Sequence, residues 1–435
     1  MRYQSRINPE LLMIKEQEKN IKNSLQEGWQ WVKLGEVCHT TSGGTPSRRE
    51  PKFYNGNIPW VKSGELDKGL ITDTEEKISE EAVKNSSAKV FPKGTLLIAL
   101  YGATIGKLAF LGVDAATNQA ICGIYKNENI SSSFLYNYLF YKKQKLVNQG
   151  IGGAQPNISQ TILKNLDVPL PPLSQQQQIV SKIEELFSEL DKGIEELKTA
   201  QQQLKVYRQA VLKWAFEGKL TKTDVKEGEL PEGWNEVQVK EVAETYGGYA
   251  FKSGEFKTEG KYQVLRMGNV RPGIIRYDES AVFLDDVDEN VWNRSLLQVN
   301  DVIITQTGTR KKRDYGFTVL IPKDNLLLNQ RIAAIRFNDK YLPKFFLYYS
   351  WTDLFKDQFF ANETGNVGQG NVGMKAVTET LIPFCTLEEQ QQIVEEIESR
   401  LSVCDKIEET ITNSLKQSEA LRQSILKKAF EGKLV

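Results

Sequence analysis

The hexapeptide AFEGKL occurs twice, at 215–220 and again at 429–434. Sliding the chain against itself by 214 residues lays 170–220 over 384–434 without a gap, and 23 of the 51 pairs are identical. QQQIVSKIEE (176–185) meets QQQIVEEIES (390–399), and YRQAVLKWAFEGKL meets LRQSILKKAFEGKL. The chain is an internal duplication, so whatever one half folds into, the other must also accommodate. Upstream the match thins but persists. EGWQWVKLGEV (27–37) echoes EGWNEVQVKEV (232–242), ATNQAICGI (116–124) echoes LLNQRIAAI (327–335), and GAQPNIS (153–159) echoes GQGNVGM (368–374). Each half reads as a variable globular region followed by a better-kept segment.

The kept segment is a long helix with a heptad stripe. Ile183, Leu190, Leu197, Leu204 and Val211 stand seven apart, and Ile179, Leu186, Gly193, Ala200, Tyr207 and Trp214 form a second series. Together they give an a/d pattern over five heptads, filled between by good helix formers. Proline precedes it in LPPLS and Gly218 follows as a stop. At 1.5 Å per residue the rod is about 65 Å long. The second copy keeps Ile393, Ile397, Cys404, Ile411, Leu421 and Ile425, interrupted by Arg400, Ser414, Ser418 and Lys428. Two matched stripes in one chain are expected to pair with each other, antiparallel, as a stiff spacer. A single stripe would equally suit a core helix or a homodimeric coiled coil.

The variable regions contain apolar runs of strand character: NIPWVK (57–62), TLLIALYG (95–102), DVIITQTG (301–308) and RIAAIRF (331–337). Each ends in an aromatic, helix-like stretch, 134–147 and 344–357. The fold class is therefore α+β: two mixed α/β domains and two long helices, related by an internal pseudo-two-fold repeat. The expected divisions are an N-terminal helical extension (1–26, with Leu11, Leu12, Ile14 and Ile21), domains at 27–169 and 222–383, and helices at 170–221 and 384–435.

Net charge is zero, so any case for nucleic acid must rest on local placement. Arg310, Lys311, Lys312 and Arg313 follow a glycine turn beside Thr307 and Thr309, a pattern suited to phosphate contact, and arginine forks reach guanine edges. A solvated surface loop fits the same run. In the first half the corresponding loop supplies Tyr101, Thr104 and Lys107, while SGGTPSRRE supplies Ser42, Thr45, Ser47, Arg48 and Arg49, and Lys62 follows. Lys252, Arg266, Asn269 and Arg271 are further candidates in the second half. The amides Asn118-Gln119 and Asn329-Gln330 can pair with adenine edges or brace a turn.

Catalytic signals fail on spacing. GATIGKL has three residues between its glycines rather than four, and Leu108 stands where a magnesium-holding hydroxyl should. PLPPL lacks the Asn or Asp of an amino-methyltransferase motif. Glu75-Glu76-Lys77 has nuclease-like spacing but reads as a solvated helix face. His39 is the single histidine and Cys38, Cys122, Cys385 and Cys404 are scattered, so neither a metal site nor a histidine-based triad is expected. Those cysteines fit a reduced, cytoplasmic setting, and no apolar run suggests a membrane span or secretion signal.

Taken together, the pattern resembles the DNA-specificity subunit of type I restriction-modification systems over nearly the whole chain. Its carriers are EGWQWVKLGEV and EGWNEVQVKEV, SGGTP, NIPWVKSGEL, TIGK, ATNQAI, GAQPNIS, LPPLSQQQQIVSKIEEL and the closing AFEGKL. The second half departs with YGGYAFKSGEF, GTRKKRD and IPFCTLEEQQQIV, the last without the double proline. The resemblance implies two target recognition domains, each reading one half of a bipartite asymmetric site in double-stranded DNA. It also implies spacer helices that set the unread gap and dock two adenine methyltransferase subunits, with restriction subunits recruited to the assembly. The subunit itself would be non-catalytic and hold no cofactor, its partners using S-adenosylmethionine, ATP and magnesium. The residues expected to dock the methyltransferases are Leu170, Pro171, Pro172, Leu173, Phe216, Leu220, Phe430 and Leu434. The competing readings are a coiled-coil scaffold without DNA reading, and a self-sufficient methyltransferase or nuclease.

Overall fold

The computed structural model describes residues 26–149, 157–222, 225–226, 229–366 and 368–435. The N-terminal extension, apart from Gln26, and residues 153–156 of GAQPNIS lie outside the described residues. The chain divides into two compact units, Met1–Leu197 with Asn413–Val435, and Lys198–Thr412. In chain order come an aromatic helix α1 (Ser132–Asn148), a long helix α2 (Leu173–Phe216), an aromatic pair α3 (Pro343–Tyr349) and α4 (Asp353–Ala361), and a second long helix α5 (Leu387–Phe430). Each unit thus owns the start of one long helix and the end of the other.

Both units are built on one plan. In the first, a five-stranded sheet runs Thr40–Ser42, Ile121–Ile124, Leu96–Ala99, Leu108–Leu111 and Leu70–Ile71. In the second, Ala243–Gly247, Ile332–Phe337, Val302–Thr305 and Thr318–Leu320 form a four-stranded sheet with the corresponding antiparallel register. The repeated EGW segments open each unit with a strand paired to the one that leads into its long helix, Gln30–Lys33 with Asp167–Leu170, and Asn235–Gln238 with Leu381–Phe384. The four apolar runs of strand character all lie on strands. The expected helix face at Glu75-Glu76-Lys77 does not form: Glu76–Ile78 is a strand paired to Ile58–Val61, which buries Ile78 and sets Glu76 beside Arg48 and Lys62.

The aromatic stretch of the first half is one helix, whereas that of the second is two. Ser350 and Thr352 break it: each hydroxyl bonds a carbonyl of the preceding turn, Leu347 at 2.6 Å and Tyr349 at 2.7 Å, and Thr352 then caps Phe355. Such local bonds compete with helix continuation.

Within each unit the two long-helix segments run antiparallel. Arg208 bonds Asp405 at 2.7 Å and Glu408 at 2.9 Å in the second unit. In the first, Arg422 pairs with Asp191 and lies 4.5 Å over the Phe187 ring. These are the same ion pair, since Asp191 and Arg208 become Asp405 and Arg422 on adding the 214-residue period. The heptad seam holds at Ile183, Leu204, Val211, Ile397, Cys404, Ile411 and Ile425, all buried, with Leu190 and Leu197 half-buried. It fails at Tyr207, Trp214 and Leu421, which are exposed. Toward each helix end the buried face rotates onto the globular region, taking Leu212, Ala215 and Phe216 in one copy and Leu426, Ala429 and Phe430 in the other. A straight helix drifts off a seven-residue repeat, and here the domain supplies the partner surface instead.

AFEGKL is the seal on that packing. Phe430 meets Phe134, Tyr138 and Tyr141 at 5.3, 5.0 and 5.7 Å, and Phe216 meets Phe345 and Tyr349 at 5.1 and 5.2 Å. Gly218 (φ 73°) and Gly432 (φ 71°) turn left-handed, and Lys219 and Lys433 return amides to Trp214 and Lys428. Glycine permits this cap without a Cβ penalty. The phenylalanines expected to face a partner are therefore inside their own unit, as is Leu170.

Candidate nucleic-acid interface

In each unit a glycine pair and an Asn-Gln turn lock together. Gly43 and Gly44 donate amides to Ile121 and Thr117 at 3.0 and 2.9 Å, and a Cβ on Gly43 would lie 2.0 Å from the Thr117 hydroxyl. In the second unit Gly248 sits so that a Cβ would lie 1.9 Å from the Asn329 carbonyl. Close backbone approach thus requires glycine at both places. The turn this creates buries the Oδ1 of Asn118 and of Asn329, neither with a partner among the described residues, and leaves Gln119 and Gln330 exposed. The outward amides are the glutamines.

Around the first turn Thr45 donates to Gln119 and the Tyr101 hydroxyl lies near the same amide, so Thr45, Tyr101 and Gln119 converge. Burial raises the Tyr101 pKa above the ordinary phenol value. Ser42 accepts from Gln160 at 2.6 Å. Three basic candidates of this unit are matched by acids. Arg48 bonds Glu76 at 2.6 Å and lies 4.1 Å over Tyr54, Lys62 reaches Glu75 at 2.8 Å, and Lys107 pairs with Asp67. Arg49 is exposed, with its amide on the Ser47 hydroxyl at 3.3 Å, and Thr104 closes the turn by accepting from the Lys107 amide.

In the second unit a small three-stranded sheet, Thr307–Gly308, Gly370–Asn371 and Thr364–Gly365, gathers the basic loop. Thr307 donates to Asn371 at 2.8 Å, and Arg331 reaches Thr307 at 3.5 Å from a left-handed backbone (φ 68°). Asp314 accepts the Thr309 amide at 2.6 Å and closes the turn that presents Arg310, Lys311, Lys312 and Arg313, all exposed. Arg310 Nε donates to Glu363 at 3.0 Å, and Arg313 lies 4.8 Å over Phe360. Tyr315 also donates to Glu363, its hydroxyl held well above the ordinary phenol range by burial and then by that carboxylate.

All but one of the remaining candidates serve their own backbone. Asn269, expected at a contact surface, is buried, with both amide ends bonded to Arg266, Arg276 and Glu279 main chain. Arg271 bonds the Gly268 and Val270 carbonyls at 3.0 and 2.8 Å, Arg266 bonds the Ser280 carbonyl, and exposed Lys252 lies 3.8 Å from Glu255. Sequence reasoning missed Glu363, Tyr315, Asn371 and Gln160, whose roles depend on contacts spanning 48 to 118 residues. It also missed Gln176 and Gln390, repeat mates that are fully buried. Gln176 accepts from the Ser131 amide and donates to the Asn129 and Pro171 carbonyls, and Gln390 makes the same three bonds with Leu342, Lys340 and Cys385.

Of the docking candidates, Leu173 is exposed, as is its mate Leu387, and Pro172 is exposed as well, while Pro171 is buried and Leu220 and Leu434 are half-buried. Among the described residues, no group of three or more His, Cys, Asp or Glu could hold a metal ion, and no helix is long and apolar enough to cross a membrane.

The type I restriction modification DNA specificity domain matches twice, over 26–199 and 231–417. The MjaVIII specificity subunit of Methanocaldococcus jannaschii is 25% identical over 431 residues, covering 96% of each chain. The EcoBI specificity subunit of Escherichia coli is 24% identical and covers 96% of this chain and 89% of its own. A solved chain from a study of assembly and conformational transition in a type I system superposes with a TM-score of 0.73 at 21% identity, over 94% of this chain and 99% of that one. The HsdS subunit from Thermoanaerobacter tengcongensis gives 0.61 at 21% identity, over 94% and 98%. With its two matched domains, each ending in a long helix sealed by the same hexapeptide, this chain belongs to the family of type I restriction-modification DNA specificity subunits.

Proposed function

We propose that this chain is the DNA-reading and scaffolding subunit of a type I restriction-modification complex. Each unit reads one half of a bipartite, asymmetric site, and the paired helices set the unread gap. The observation that carries this reading is the pair of loop clusters: one backbone frame occurs twice, and its side chains differ where contact would be made. Thr45, Tyr101 and Gln119 occupy the first cluster, and Arg310, Lys311, Lys312 and Gln330 the second.

Two adenine methyltransferase subunits are the partners, joined by restriction subunits in the full assembly. S-adenosylmethionine, ATP and magnesium chemistry belongs to those partners, and the complex works in the cytoplasm. The exposed apolar side chains of Pro172 and Leu173 in one unit and Leu387 in the other are the docking contacts, in place of the enclosed phenylalanines.

Binding of the methyltransferase complex to duplex DNA as a function of salt tests the reading. Phosphate contacts release counterions, so affinity should fall steeply as salt rises, by about one unit of log–log slope per contact. Lys311→Ala and Lys312→Ala should each weaken binding and flatten the slope while leaving assembly with the methyltransferase intact. Salt-independent association, or none, would leave the chain a scaffold that reads nothing.

A further inference from the structure

Of the four cations in the basic loop, one is held differently. Arg310 Nε donates to Glu363 Oε2 at 3.0 Å, and the other carboxylate oxygen accepts from the buried Tyr315 hydroxyl. The Glu363 side chain is only 10% exposed, while that of Arg310 is 43% exposed. Gly370 keeps the space: a Cβ there would lie 2.3 Å from both Glu363 Oε1 and the Tyr315 oxygen. Lys311 and Lys312, by contrast, are exposed and have no ion partner among the described residues.

A guanidinium bonded through Nε keeps its Nη1–Nη2 edge as a rigid two-donor fork. The Arg310–Glu363 pair is close to neutral, so it adds little to counterion release, and the nearby carboxylate disfavours a phosphate. What it adds is direction, which suits the paired O6 and N7 acceptors of guanine in the major groove. We infer that Arg310 is a specificity-determining residue that reads a guanine in the half-site of the second unit, and that Glu363 is the positioning residue that aims it. The inference rests on the DNA-reading function proposed above.

The test uses the complex with its methyltransferase and duplexes carrying the wild-type motif with one base pair changed at a time. Arg310→Ala and Arg310→Lys should erase the preference for a single G·C pair in one half-site, a loss of about 10- to 100-fold in discrimination. The other half-site and the gap should be unchanged. Glu363→Gln keeps the shape and the acceptor for Tyr315, and should erode the same position. Lys312→Ala, on the exposed rim, should weaken all duplexes alike. The inference is overturned if Arg310→Lys retains full discrimination, if Arg310→Ala weakens every duplex equally, or if that half-site contains no guanine. Wild-type complex that discriminates no duplex removes the DNA-reading function and this inference with it. Wild-type discrimination left intact by both Arg310 variants removes this inference alone.

Discussion

Gln176→Met separates the structural skeleton from the reading surface. Methionine keeps the volume of the side chain but none of its three hydrogen bonds, to the Ser131 amide at 2.8 Å, the Asn129 carbonyl at 3.0 Å and the Pro171 carbonyl at 2.9 Å. Each neutral bond contributes about 1 kcal/mol net, and a buried group left without a partner costs about 1–3 kcal/mol more. The substitution should therefore destabilise the first unit by about 4–6 kcal/mol. Chemical denaturation of the full chain should show the loss, and hydrogen exchange at the Ser131 amide should localise it to the loop that launches α1. Gln390→Met should cost the second unit about as much, because the repeat places the same three bonds there. The exposed neighbour Gln177→Met should stay within about 0.5 kcal/mol of wild type. A loss at Gln176 no larger than that at Gln177 would refute the clamp.

Two other outcomes follow from the geometry. Removing one heptad from α2 and one from α5, in register, should shorten the unread gap by about three base pairs, because seven helical residues rise about 10 Å and base pairs are stacked about 3.4 Å apart. Motif mapping of the variant checks this, and an unchanged gap would sink the ruler. Burial pushes the thiols of Cys38, Cys122 and Cys385 up to about 11, 12 and 12, and Cys404 is buried too. Native protein at neutral pH should therefore resist a thiol reagent that labels all four cysteines after denaturation. Because the Cys38, Cys122 and Cys385 thiols ionise later when folded, they add stability below the ordinary value of 9.0, and that contribution falls away as pH rises toward 11 to 12. Rapid native labelling at neutral pH would contradict the packing.

The duplication, the long helices and the strands were legible because each leaves a local, repeated mark: a 214-residue period, a seven-residue period, or a short apolar run bounded by turns. What could not be read was the pairing of side chains distant in sequence. Phe430 looks like a partner-facing anchor in AFEGKL, yet its pocket is built by Phe134 and Tyr138, almost 300 residues earlier. Gln176 reads as one helix former in a run of four, and only the loop it grips distinguishes it from Gln177. Arg48 and Lys62 read as free cations until Glu75 and Glu76 arrive at the start of a neighbouring strand. Tyr207 and Trp214 fit the heptad arithmetic, but the globular region captures the adjacent face of the helix.

The central claim, that this chain reads a two-part site, is tested most directly by single-molecule mapping of N6-methyladenine in cells carrying the methyltransferase partner, with and without this chain. The account predicts a new split motif that appears only with the chain, two short and different half-sites around a fixed gap. A stable complex with the methyltransferase that adds no new methylated motif would contradict it.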